Sequence, residues 1–388
     1  MAEIELILHP GYPKTGTSVI QATCAANRRV LAKKHGLLYP ATEDDFLGVT
    51  RPNHQFIFWH APEVWKDSAE IRRYFVKLRE FCDAQNLTKV LISWERFSDL
   101  RWMEEMQTIA PELGMRPRIL IYHRRQDYWI ESAWKQWFNK LPEDPTISEF
   151  ALQADGDWYA QTERWASYFG RENITLRVYE KEQLKGGLVK DFFDAVGIGA
   201  DVVDTLAPAG KDNASSNVGF SRDVMALLTH CRGLSAGRHD HGVFHMLGSL
   251  LDDSFKKREF ETYSLLSPAQ RIDILQRWEE SNQKLARDYL GREDGRLFYE
   301  PWPKETDPWM PFEGIDLTRA APVFMRMFMT LNEQVETLQA KIEKLEAQTH
   351  AATAAAADAR AMSIAGAKSG FLARTLQSLR RKFLFLKL

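Results

Sequence analysis

The stretch Leu6-Ile7-Leu8-His9-Pro10-Gly11-Tyr12-Pro13-Lys14-Thr15-Gly16-Thr17-Ser18-Val19-Ile20-Gln21 decides how the chain reads. It opens in the apolar run 4–9, the length of a short buried strand. A turn rich in glycine and proline follows, and from about Thr17 to Lys34 the pattern is helical. Glycine lets a backbone pass close to an anion. The N–H groups at a helix start, with the helix dipole behind them, attract phosphate-like groups. Lys14 adds a full positive charge, and Thr15, Thr17 and Ser18 add hydroxyl donors. A loop for a nucleoside triphosphate would read G-x-x-x-x-G-K-[ST]. Gly11, Gly16 and Ser18 keep that spacing, but Thr17 stands where the lysine belongs and Lys14 lies two positions before Gly16. The grip on a γ-phosphate and its magnesium is therefore not encoded; an anion loop of another kind is.

Working outward, short apolar runs alternate with helical ones. Strands are expected at 37–39, 89–94, 118–123 and 174–179, and helices at 66–84, 128–139 and 187–195. The run Lys89–Trp94 lacks strict alternation, as a strand buried on both faces does. Strand–helix alternation over about 200 residues predicts an α/β fold, a parallel sheet covered by helices on both faces. Residues 220–295 are helix-rich and end in a long helix, 268–289. The whole chain has 388 residues, 44% of them hydrophobic, and a net charge of −2, so no global charge points to nucleic acid. Three cysteines without a CxxC pair read as reduced thiols in a cytoplasmic setting. Glu3 and Glu5 interrupt the first apolar run, which argues for a strand and against a signal peptide.

A second segment, ILIYHRRQDYWIESAWKQW, carries Arg124 and Arg125 at a strand end and Ser132 on the next helix. A guanidinium fork with a hydroxyl suits a phosphate monoester; the plain alternative is an arginine pair at a sheet edge. Together, PKTGTS between strand and helix, and Arg followed eight positions later by Ser, resemble the sulfotransferases that use 3′-phosphoadenosine 5′-phosphosulfate (PAPS). The resemblance spans about residues 1–303. It implies a P-loop-like sulfotransferase fold, with Lys14, Thr15, Gly16, Thr17 and Ser18 around the 5′-phosphosulfate. Arg124 and Ser132 would hold the 3′-phosphate, Tyr179 would lie by the adenine, and no metal is required. Tyr179 could equally be a core tyrosine at a strand end. Cytosolic members often carry a stacking Trp where this chain has Val19. The polar run with Lys211, Asn213 and Ser215 is similar to a loop that closes over the nucleotide in several sulfotransferases, or is simply polar.

In-line sulfuryl transfer needs charge stabilisation at the leaving phosphate, which falls to Lys14, and a base for the acceptor. Glu95 follows the strand KVLISW, at the end of the sheet where ligands bind; its alternative is an ion pair with Arg96 or Arg101. His54 is the rival base, since a histidine near its ordinary pKa suits proton abstraction; its alternative is a cap or core histidine. Arg238, His239, Asp240, His241 and His245 form a cluster better suited to an acceptor than to zinc.

After a proline-rich linker, 304–322, the pattern changes. Phe324, Phe328, Leu331, Val335, Leu338, Ile342 and Leu345 recur at spacings of four and three, a heptad seam over a helix at 323–349. It predicts a homo-oligomer through 324–345, or else one amphipathic helix packed on its own domain. An Ala-rich stretch, 350–369, and a basic amphipathic tail, 370–388, complete the chain. Such a tail can lie on the inner face of a membrane, dock on a partner, or pack on the coiled coil. The expected acceptor is a hydroxyl or amine of a carbohydrate, lipid-linked glycan or other small molecule. A small-molecule kinase and a non-catalytic coiled-coil scaffold are the competing readings.

Overall fold

The computed structural model describes residues 3–49, 51–61, 64–95, 100–207, 220–237, 242–251, 255, 264–312 and 315–385. Two compact units divide it, Met1–Ala320 and Ala321–Leu388. The run with Lys211, Asn213 and Ser215, and Arg96, Arg238, His239, Asp240 and His241, lie outside the described residues.

The first unit is built on five parallel strands: β1 (Ile4–His9), β2 (Leu37–Leu38), β5 (Lys89–Ser93), β6 (Met115–His123) and β7 (Ile174–Val178). Their order across the sheet is β2-β5-β1-β6-β7. Leu6 pairs with Val90 on one side and Pro117 on the other, so β1 is the central strand. The sheet is covered on both faces, as the alternation along β1 requires. Leu6 and Leu8 point into one core with Val90, Ile92, Ile119, Ile121 and Leu176. Ile7 points into the other with Leu91, Leu120 and Tyr122. α1 (Thr17–His35) and α8 (Leu188–Val196) contribute to the second core; α3 (Ser68–Gln85), α4 (Leu100–Glu112) and α7 (Trp158–Phe169) contribute to the first.

The strand and helix expectations around the sheet hold to within about two residues at most ends, with one larger difference. β6 begins at Met115, three residues before its expected start, and carries Pro117 inside it. β7 pairs with β6 only from Ile119 onward, so Pro117 has a neighbouring strand on one side and its missing N–H is spared. The helices Leu100–Glu112, Ile147–Gln153 and Trp158–Phe169 were not expected, nor were two small elements, α2 (Gln55–Phe58) and the hairpin β3 (Trp59–Ala61) with β4 (Val64–Trp65). There Phe58 stacks on Trp94, ring centroids 4.9 Å apart, and Phe58 and Trp59 are buried. Those two rings of the 54–65 aromatic run are core.

α5 (Gln126–Trp137) follows β6, and α6 (Ile147–Gln153) follows α5. α9 (Arg222–His230), α10 (Gly242–Leu250) and α11 (Pro268–Leu290) complete the helix-rich segment. Ser267 caps α11 by accepting from Gln270 N, with Pro268 at the first helical position. α11 lays Leu285 and Ala286 into the larger core. The last helix, α12 (Leu317–Phe385), runs continuously through the segments that the sequence divides into coiled coil, Ala-rich stretch and tail. Along it the side chains of the seam, Phe324 to Leu345, are solvent-facing. Among the described residues no helix is long and apolar enough to cross a membrane.

Candidate active site

Four of the candidate residues follow strands, and the sheet order puts those strands side by side. The Lys14 loop follows β1, Glu95 follows β5, Arg124 follows β6 and Tyr179 follows β7. The chain leaves the central strand toward β2 on one side and later crosses to β6 on the other. Such a reversal opens a crevice at the carboxyl ends of the strands, where ligands of open α/β sheets bind.

The loop is tightly built. Gly11 and Gly16 have φ of 38° and 80°, and Lys14, without the freedom of glycine, has φ 68°. A left-handed residue other than glycine costs about 1–2 kcal/mol, so the surroundings of Lys14 must over-determine its conformation. A Cβ on Gly16 would run into Leu188 and meet Tyr179 at 3.4 Å; one on Gly11 would meet Thr17 at 2.6 Å and Glu95 at 3.4 Å. The start of α8 and the Tyr179 ring therefore wall one side of the loop, and Glu95 lies over the other.

Thr15 and Thr17 are both buried, and both hydroxyls donate to the carbonyl of Tyr12, at 2.6 and 3.3 Å. The sequence reading made them ligand donors; here their hydroxyl protons close the loop on itself. Val19 and Ile20 N–H donate to Gly16 O. The helix start thus presents the N–H groups of Gly16, Thr17 and Ser18 at its tip, where no intrahelical acceptor exists. The half-buried Ser18 stands beside them.

Lys14 Nζ donates to Gln136 Oε1 at 3.0 Å. The Arg124 guanidinium donates to the Lys14 carbonyl at 3.0 Å. It lies 5.4 Å from the centre of the Tyr179 ring and 5.9 Å from that of Tyr128. The carbonyl of Arg124 accepts from Trp158 Nε1, which fixes the strand end. Lys135, on α5 beside Gln136, pairs with Glu131 at 3.4 Å. Burial, and then the charge of Arg124, bring Lys14 down to about 8; Glu95 opposes this fall and Lys135 adds to it. Burial also lowers Lys135, against the pull of Glu131. Three cations, Lys14, Arg124 and Lys135, thus stand together against the carboxylates of Glu95 and Glu131, an arrangement that can receive an anion.

Glu95 keeps a face open to solvent while protein crowds the rest of its side chain. That crowding pushes its carboxyl up, and Lys14 pulls it back only in part. The wall of a crevice is poorly hydrated even where it is exposed, so the crowding prevails. His54 is placed quite differently. It is fully buried, accepts from Ser93 N–H on Nδ1 at 2.9 Å, and faces Pro40 O through Nε2 at 3.0 Å. Burial pushes it down to about 4. With both ring nitrogens engaged, His54 ties the end of β5 to the Pro40 turn and presents no nitrogen to a substrate. The alternative reading of a core histidine fits this geometry.

Ser132 is half-buried on α5, one helical turn before Gln136 and so on the same face. Arg125, the neighbour of Arg124, points away from the loop: it forms a bidentate pair with buried Asp127, which also binds Arg271. Glu180 accepts from the N–H groups of Tyr299 and Glu300, both at 2.8 Å. These contacts pin the segment after α11 beside the end of β7. Gln136 and Lys135 were missed in the sequence. Their signal was there, one turn past Ser132 on a helix already singled out. Among the described residues no group of three or more His, Cys, Asp or Glu side chains is placed to hold a metal ion.

No family model matches the chain. A curated relative from Archaeoglobus fulgidus, described only as an uncharacterized protein, is 29% identical over 210 residues, covering 52% of this chain. The chain spans about half of that relative's length, 54%. A solved sulfotransferase from Alicyclobacillus acidocaldarius shares 17% identity and aligns over 60% of this chain and 93% of its own, with a TM-score of 0.33. An overlap that loose is too weak to argue from.

Proposed function

We propose that the chain is a sulfotransferase that moves a sulfuryl group from PAPS to a hydroxyl or amine of a carbohydrate, a lipid-linked glycan or another small acceptor. One observation carries the reading. Lys14, held at a left-handed φ, stands against Arg124 on one side and Glu95 on another, at the carboxyl ends of three adjacent strands. The donor set suits a nucleotide with two separated anionic groups: Lys14 and the helix tip for one, Arg124 and Ser132 for the other. A kinase reading lacks this support, because Thr17, at the lysine position of a triphosphate loop, is turned inward.

PAPS supplies, when bound, a sulfuryl group on an oxygen whose departure leaves a phosphate. Lys14 and the N–H groups of Gly16 and Thr17 neutralise the charge that gathers on that phosphate. Glu95 accepts the acceptor proton as the acceptor–sulfur bond forms and the sulfur–oxygen bond to phosphate breaks. A carboxylate pushed up by its surroundings is a better base than one at its ordinary value. Gln136 positions Lys14, and the Tyr179 ring lies beside the Arg124 guanidinium.

The test is transfer of labelled sulfuryl groups from PAPS across a panel of sugar, lipid-linked and small aromatic acceptors, with wild type and Glu95→Gln. At least one acceptor class should be labelled. Glu95→Gln should lower kcat by about 10²–10⁴-fold, as loss of a general base does, while binding of the product nucleotide PAP persists. No transfer to any class, or an unchanged kcat in the variant, would overturn the reading or the role of Glu95 respectively.

A further inference from the structure

The seam of α12 takes no part in the proposed reaction, and it carries its own information. Phe324, Phe328, Leu331, Val335, Leu338, Ile342 and Leu345 are each between 42% and 66% exposed in the single chain. Their mean spacing of 3.5 residues is not that of a straight helix, at 3.6 residues per turn. It keeps one stripe in line only for helices that wind around each other. A lone surface helix has no need of that period.

The residue types say which pairing. Counting the heptad from the spacing, Phe328, Val335 and Ile342 fall at a, and Phe324, Leu331, Leu338 and Leu345 at d. β-Branched residues at a, here Val335 and Ile342, with leucine at d, here Leu331, Leu338 and Leu345, favour two parallel strands over three or four. The flanks give the orientation. Positions g hold Met327, Gln334, Lys341 and Gln348, and positions e hold Met325, Asn332, Gln339 and Glu346. In a parallel, in-register pair, each g residue faces the e residue five places on in the other helix. Lys341 then faces the partner subunit's Glu346, twice per dimer. In an antiparallel pair g faces g and e faces e. No g residue is acidic and no e residue is basic, so no antiparallel register forms an ion pair across the seam.

We propose that residues 324–345 join two copies of this chain in a parallel, in-register, two-stranded coiled coil. Three heptads make a short seam, so assembly depends on concentration. The proposal is independent of the reaction at Lys14.

Sedimentation equilibrium of the full chain should show the mass rising with concentration to twice that of the 44.8 kDa chain. Leu331→Asp combined with Leu338→Asp should return it to the single-chain mass. Lys341→Glu should weaken the dimer, and adding Glu346→Lys should restore it, which a misfolded variant would not do. Leu345→Cys should cross-link to its own copy on oxidation, because like d positions face each other only in the parallel register. The unmodified chain, whose Cys24 and Cys82 are buried, is the control for background cross-linking. A single-chain mass at all concentrations, a trimer or tetramer mass, or an assembly indifferent to the leucine pair would overturn the proposal. An assembled Leu345→Cys variant that does not cross-link would overturn the parallel register.

Discussion

Around Lys14 the chain draws cations into a crowded crevice, whereas along 324–345 it leaves a row of large apolar side chains in water. Both arrangements are unfavourable for an isolated molecule, for opposite reasons. Gathered like charges repel one another until an anion arrives. Exposed apolar side chains order water until another surface covers them. In the two proposals made above, the first takes a small charged ligand and the second an apolar helix of matching period. The contrast shows how one chain can carry two incomplete sites whose missing parts are readable from what is in excess.

The comparison can be sharpened first through acid. His9, His54 and His123 are buried in the sheet unit and pushed down to about 3, 4 and 3 by that burial. Their folded-state values lie below the unfolded value of about 6.5. The unfolded chain therefore binds protons that the folded one refuses. Stability is intact above about pH 6.5 and falls as pH drops through the window toward 4, by about 1.4 kcal/mol per pH unit for each histidine. All 12 tryptophans precede residue 310. Their fluorescence should report loss of the sheet unit between pH 6.5 and 4, with a helical circular-dichroism signal from α12 outlasting it. A tryptophan signal flat across that window would show that the buried histidines do not govern the unit.

A smaller effect separates the two sites directly. Arg124→Ala removes a charged donor and should weaken PAP binding by about 10–100-fold, with Ser132→Ala a lesser loss. Leu331→Asp with Leu338→Asp should leave that affinity unchanged. If the seam variant also lost PAP, the two regions would not be independent and the comparison would break.

Much of this was legible in the sequence, and the reasons are specific. Strands buried on both faces give short, unmixed apolar runs, which is why β1, β5 and β6 stand out at 6–8, 90–92 and 119–122. Lys14 and Arg124 could be named because each lies just past such a run. β3 and β4 are too short to show alternation. The buried face of α7 mixes Trp158 and Trp165 with Thr162, which bonds His123, so its stripe is interrupted by a polar residue that is nonetheless core. His54 looked like a base because its type titrates near neutrality; only burial, which a sequence does not display, removes that property. Thr15 and Thr17 matched a motif by type, yet the direction of a hydroxyl depends on the nearest acceptor, here the carbonyl of Tyr12. Gln136 was overlooked because its role depends on Lys14 reaching across 122 positions of sequence.

The central claim is that the loop after β1 holds a sulfated nucleotide by its charge. Calorimetric titration of PAP into the full chain and into Lys14→Ala, at pH 7 and pH 9, tests it most directly. The wild type should bind, and Lys14→Ala should bind about 10–100-fold more weakly, as loss of one charged contact does. Wild-type affinity should fall above pH 8, with proton uptake on binding, because Lys14 loses its charge near 8 in the free protein. Equal binding by the variant, or no binding by the wild type at either pH, would contradict the account.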